Sequence, residues 1–169
     1  MSTTYLHGVR QTINENAYTP MPIVATSVIG LLATADDADA DLFPINRAVL
    51  ITDIDEAIGK AGTKGTLKNA LIDIKKEAQT PIVLIRVDEA ESEEDTIANV
   101  MGDITEEKRT GLEVFALAQQ ECGVQPKIFI CPQYDTNASV RMKLASIAED
   151  ALGFAYVSFD DCETISDAL

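Results

Sequence analysis

Tryptophan is absent from this chain, histidine occurs once, and aromatic residues make up only 5% of it. Its core must therefore be assembled from Ile, Val, Leu and Ala. Basic residues are also scarce: 13 Lys and Arg stand against 28 Asp and Glu, a net charge of −15. Nucleic acids and anionic membranes are bound by clustered Lys and Arg, so neither is an expected partner. The three cysteines, Cys122, Cys131 and Cys162, are odd in number and show no CxxC or metal-ligand spacing. That usage points to a reducing compartment without a disulfide framework, with Cys131 expected as a small buried hydrophobe at the end of an apolar run. No apolar run approaches the ~20 residues of a membrane span. The start, Met1-Ser-Thr-Thr-Tyr-Leu-His7, is too polar for a signal peptide, so a soluble protein made in the cytoplasm is expected. G-x-S-x-G does not occur and His7 has no nucleophile in a suitable context, which leaves triad chemistry without support. No metal and no cofactor are expected.

What is present is a repeated pattern of short apolar runs. Residues 24–33, 48–52, 82–87, 127–131 and 155–159 are nearly continuous in hydrophobicity and rich in β-branched side chains. Such runs are expected for strands covered on both faces. Between them lie helical stripes: Leu67, Ala70, Leu71, Ile74 and Ala78; then Val140, Leu144, Ile147, Ala148 and Ala151; and, less cleanly, residues 111–121 with Leu112, Phe115, Ala116 and Gln119. The alternation predicts an α/β fold, an open and mostly parallel sheet flanked by helices. Length is sufficient for one core. Acids cluster at Asp36, Asp37, Asp39 and Asp41, predicting an acidic loop over residues 34–47, and again from Asp88 to Glu107, predicting a solvated surface or mobile loop.

The first 23 residues differ in kind. Tyr5, His7, Val9, Gln11 and Ile13 alternate along an extended segment, and Pro20 and Pro22 then stiffen a linker. An unpaired strand must find a partner, on its own sheet or on a neighbour's. The expected organisation is an extended arm and linker over 1–23 followed by an α/β domain over 24–169. The closing stretch, Thr164-Ile-Ser-Asp-Ala-Leu169, reads as a helix that has only begun. One turn is unstable alone, so the chain is expected to be the front of a longer polypeptide.

Candidate chemistry centres on Val49-Leu-Ile-Thr-Asp53-Ile-Asp55. A hydrophobic strand ending in Asp-x-Asp resembles the first motif of haloacid-dehalogenase-type phosphatases, which implies Asp53 as nucleophile, Asp55 as general acid and Mg²⁺ between carboxylate and phosphate. Asp160 and Asp161 would be the later acidic pair. Against this, Ala57 stands where the motif carries Thr or Val, and the strand over 82–87 runs into Asp88 and Glu89 instead of Ser or Thr. A simpler reading is a capping box opening a helix over 54–60, with Asp53 accepting from the backbone and Glu56 reaching back. The glycine-rich stretch Gly59-Lys-Ala-Gly-Thr-Lys-Gly-Thr66 fails the phosphate-loop pattern, because Lys64 stands where the pattern needs glycine. A turn leading to Thr66 as N-cap accounts for it. A binding module with a ligand at the carboxyl ends of the strands is a third class, since open α/β sheets favour that edge.

The order of several pieces resembles the N-terminal part of contractile bacteriophage tail sheath proteins, including those of prophages and phage-tail-like bacteriocins. The pieces are Tyr5-Leu-His-Gly-Val-Arg10, Thr26-Ser-Val-Ile-Gly30, Ala33-Thr-Ala-Asp36, Phe43-Pro-Ile-Asn46 and Val49-Leu-Ile-Thr52. They continue with Gly65-Thr-Leu67, Arg86-Val87 and Thr110-Gly-Leu112, with Gly123-Val-Gln-Pro-Lys-Ile-Phe-Ile-Cys-Pro132 the most specific, and close on Thr164-Ile-Ser-Asp-Ala168. The resemblance implies a structural subunit and not an enzyme. Its copies would stack as six-fold rings around a tail tube protein and contract to drive the tube through the host envelope. Assembly would occur in the bacterial cytoplasm and the product would reside in the virion tail. The arm residues Tyr5, His7, Val9, Gln11 and Ile13 would add a strand to a neighbouring subunit. Sheath proteins are more than twice as long, with a further C-terminal domain, so this chain alone is expected to be a monomer or weak oligomer.

Overall fold

The computed structural model describes residues 27–105 and 108–158. Residues 1–26, and with them the whole predicted arm, lie outside that range, as do Asp160, Asp161, Cys162 and residues 163–169.

Five strands form one sheet in the order β2-β3-β1-β4-β5. β1 (Ile29–Thr34) is central, parallel to β3 (Ile82–Val87) on one side and to β4 (Ile128–Ile130) on the other, and β4 is parallel to β5 (Phe154–Ala155). β2 (Ala48–Ile51) is the exception, antiparallel to β3 with Ile51 opposite Ile82. The predicted α/β class with a mostly parallel sheet is what forms. The chain reverses into β2 at Asn46, which adopts φ 54° and whose N–H donates to the Arg86 carbonyl at 2.8 Å.

Helices cover both faces. On one lie α1 (Ile54–Lys60) and α2 (Leu67–Glu77), whose Ile54, Ala57, Leu67, Ala70 and Leu71 pack with Leu31, Ile82 and Leu84. On the other lie α3 (Glu93–Met101), a 3-10 segment Gly111–Leu117 running into α4 (Ala118–Cys122), and α5 (Ala138–Asp150). Val100, Leu112, Phe115, Val140 and Leu144 there close over Leu32, Val83, Ile85 and Phe129. Because strand side chains alternate, β3 serves both cores, and all six of its residues are buried. Phe115 and Phe129 meet edge-on, ring centroids 5.2 Å apart, an arrangement the aromatic quadrupole favours.

Four expectations need correction. The stretch from Asp88 to Glu107 is more than a solvated loop, because it contains α3, with the Ser92 hydroxyl accepting from the Asp95 N–H at 3.1 Å as its N-cap. Residues 111–121 do not form one helix; the first seven are 3-10. Strand coverage on both faces fails at β5, where Phe154 is 72% exposed. The reciprocal half of the Asp53–Glu56 capping box is also missing, since Glu56 turns instead to Lys60, at 3.3 Å one helical turn on.

Candidate functional site

Asp53 is the residue on which an enzymatic reading depends. Its Oδ1 accepts from the N–H groups of Asp55 at 3.0 Å and Glu56 at 3.1 Å, capping α1. Asp55 is exposed and pairs with Lys75 of α2. Both carboxylates line a groove with Thr52, Gln79, Thr80 and Pro81. The antiparallel direction of β2 decides where that groove is. Asp53 follows Ile51, which lies opposite the first residue of β3, so the pair sits at the amino-terminal edge of the parallel strands. Ligand crevices of open α/β sheets form at the opposite, carboxyl edge. Among the described residues, no three of His, Cys, Asp and Glu come together as metal ligands.

At the carboxyl edge, the protein's own side chains bridge the place between β1 and β4. The connections leaving β1 and β4 pass to opposite faces, so a crevice would open between these two strands. There the Thr34 and Tyr134 hydroxyls share a hydrogen bond of 3.2 Å. Thr34 N–H donates to Thr66 Oγ1 at 3.1 Å, and Thr66 N–H donates back to the Thr34 carbonyl at 2.9 Å. Thr66 therefore occupies the N-cap position of α2, as expected, but spends its hydroxyl on β1 and not on the helix. Burial pushes the Tyr134 phenol up, outweighing the opposing hydrogen bond from Thr34. Next to this latch, Arg86 is 5% exposed; its Nη1 donates to the Ala35 carbonyl at 2.8 Å, holding the acidic loop over the sheet, and its buried Nε has no hydrogen-bond partner.

The glycine-rich loop binds an anion, but that anion is part of the chain. Asp37 accepts from the N–H of Thr63 at 2.8 Å, the Thr63 hydroxyl at 2.9 Å and the N–H of Lys64 at 2.9 Å. These donors, the Lys64 and Thr63 backbone first, hold its carboxyl down to about 2. Gly62 and Gly65 make the wrap possible at φ 71° and 74°. A Cβ on Gly65 would stand 2.3 Å from the Thr34 carbonyl oxygen, and one on Gly62 would stand 2.2 Å from Asp37 Oδ1. A phosphate would have to displace a ligand already tethered in place.

Cys131 is buried at 1% exposure and its thiol is pushed well above the ordinary range, burial first and Asp135 second. Burial likewise raises Cys122, with Glu121 adding to it. Neither is an activated nucleophile. Asp135, itself buried, accepts from Ser158 N–H at 2.8 Å, and Arg141 Nη1 donates to the Ser158 carbonyl at 3.3 Å, so the end of the described chain is held from two sides. Sequence reasoning missed the Thr34–Tyr134–Thr66 latch and α3. The latch has no local signal, since its partners are 32 and 100 positions apart. The helix did have one: Ser92-Glu-Glu-Asp95 ahead of Ile97, Val100 and Met101 is a cap followed by an apolar stripe.

Comparison with known proteins adds what geometry does not. Residues 26–87 match the family described as tail sheath protein Gp18, domain III N-terminal region. The chain is 37% identical, over 96% of its length, to the tail sheath protein of Escherichia phage P2, of which it covers 43%. It is 36% identical, over 99% of its length, to the major tail sheath protein of Serratia phage KSP20, of which it covers 44%. The chain thus spans less than half the length of these curated relatives.

Proposed function

Since this chain is a sequence relative of phage tail sheath proteins along nearly its whole length, we propose that it is part of a structural subunit of a contractile tail sheath. Copies stack as six-fold rings around a tail tube protein, and contraction drives the tube through the host envelope. Assembly takes place in the bacterial cytoplasm and the product is the sheath of the virion tail. The observation that carries this reading is the extent of the likeness, which takes in 96% and 99% of the chain in the two phage relatives.

The site chemistry agrees with a structural role. The two carboxylates that an enzymatic reading needs are engaged in a helix cap and a lysine pair. The crevice between β1 and β4 is bridged by Thr34 and Tyr134. The acids of α3 and its flanks lie on the outer surface of the sheath, and Tyr5, His7, Val9, Gln11 and Ile13 supply the strand that links one subunit to the next.

Negative-stain electron microscopy of the product of the whole gene tests the proposal. Regular striated tubes are expected, and deletion of residues 1–23 should leave folded protein that no longer forms them. Discrete globular particles from the intact product would overturn it. These 169 residues alone should sediment as a monomer or weak oligomer, and a stable six-membered ring would contradict the division of labour between arm and acceptor.

A further inference from the structure

Among the described residues the sheet ends in two edge strands, β2 and β5. β5 is two residues long, and a strand that short offers little for another chain to pair with. β2 is longer, and its four residues, Ala48-Val-Leu-Ile51, carry no charge, no proline and no bulge. A strand with none of these features is the kind that adds to other chains when its edge is left open. In an antiparallel pair, successive residues turn their N–H and C=O groups alternately toward the neighbouring strand and away from it. The Ala48 N–H donates to Glu121 Oε2 at 2.9 Å and so points away from β3. Leu50, two residues on, shares that orientation, so the outward edge of β2 consists of the backbone groups of Ala48 and Leu50.

Glu121 is the last residue but one of α4. A carboxylate is unfavourable near a helix C-terminus, where the dipole is negative, so the helix itself gains nothing from it. What it does gain lies across the gap to β2. One oxygen takes the Ala48 N–H, the other faces Arg47 Nε at 3.7 Å, and only 23% of the side chain is exposed. A strand arriving at this edge has to offer its own carbonyl to the Ala48 N–H, and an acceptor already sits there. We propose that β2 is a latent strand-pairing edge for a second copy of this chain, and that Glu121 keeps it shut. The second copy is the matching occupant because an antiparallel β2 pairs with itself. A two-fold axis at Val49 sets the uncharged run against its equal, with Ala48 opposite Leu50 of the other copy, and the outward groups of both residues complete the ladder. With Glu121 in place that ladder cannot form and the copies stay apart at this edge.

The test compares the 169-residue chain with its Glu121→Ala and Glu121→Gln variants. Glu121→Ala removes the acceptor, and sedimentation velocity over a concentration series should show it self-associating roughly tenfold more tightly than wild type. Glu121→Gln keeps an acceptor oxygen at the same reach and should sediment as wild type. In the associated Glu121→Ala protein, the amides of Ala48 and Leu50 should exchange hydrogen for deuterium more slowly than in its dilute monomer. Unchanged sedimentation of a folded Glu121→Ala protein overturns the proposal. So does association that leaves those two amides unprotected, or association of Glu121→Gln as tight as that of Glu121→Ala. A measurement on the unsubstituted chain guards against a variant that fails to fold. In the wild-type monomer the Ala48 amide should exchange roughly tenfold more slowly than the outward Leu50 amide. Equal rates would mean that Glu121 does not hold the edge, and would overturn the proposal as well.

Discussion

Substituting Asp53 separates a structural carboxylate from a catalytic one. Its Oδ1 accepts two backbone N–H groups, from Asp55 at 3.0 Å and Glu56 at 3.1 Å, on an exposed helix end. Removing an N-cap acceptor of this kind costs about 1 kcal/mol, within a range of about 0.5–2 kcal/mol. Asp53→Ala should therefore lower the melting temperature by roughly 2–4 °C, the shift about 1 kcal/mol produces in a domain of this size. Asn caps about as well as Asp, so Asp53→Asn should lose only a few tenths of a kcal/mol, chiefly the charge facing the helix dipole. Thermal unfolding followed by circular dichroism measures both. Hydrolysis of p-nitrophenyl phosphate with Mg²⁺, run on the same three proteins, should be indistinguishable from buffer in each. The cap reasoning fails if Asn destabilises as much as Ala. Mg²⁺-dependent turnover abolished by Asp53→Asn would refute the structural assignment itself.

Four further outcomes follow from the packing and the polar contacts. Gly65→Ala combines a left-handed φ with a backbone clash against Thr34 and should cost about 1–3 kcal/mol in chemical denaturation, whereas Gly59→Ala, where an added Cβ would meet nothing within 4 Å, should not destabilise. Phe129→Ala empties the junction of β4, Phe115 and the α5 core and should cost about 3–5 kcal/mol. Tyr134→Phe breaks the bond to Thr34 and should cost about 1 kcal/mol. Asp37 has a depressed carboxyl in the folded state, so its contribution is fully present above the ordinary carboxylate value of 3.8 and fades as pH falls through about 2. Acid titrations of stability should differ between wild type and Asp37→Asn above that window and converge below it; curves that remain parallel would show that Asp37 keeps its usual affinity for protons.

Several elements can be read directly from the residues because their causes are local. β3 is recognisable because Ile82-Val-Leu-Ile-Arg-Val87 is buried on both sides, and α2 because its apolar positions recur at helical spacing. The Asp53 cap is visible for the same reason: donor and acceptor lie within three residues. Glu56 shows the limit of such a reading, since two local partners compete for it and Lys60 one turn away prevails over the Asp53 backbone. The density of acids around α3 masks a helix whose cap and apolar stripe are both present in the residues.

Composition and short-range spacing by themselves determined the α/β class, the apolar stripes of α2 and α5, the buried Cys131 and the acidic net charge, since each depends on composition or on residues a few positions apart. Only the tertiary structure decided that β2 runs antiparallel, which places Asp53 and Asp55 at the amino edge of the sheet instead of the carboxyl edge. It alone decided that the glycine loop holds Asp37, that Thr66 and Tyr134 seal the crevice beside β1, and that Phe154 and Tyr156 stand exposed. Strand direction, crevice filling and face coverage depend on contacts between residues tens of positions apart, whose closure is decided by the packing of the whole chain and leaves no periodic mark in any one segment.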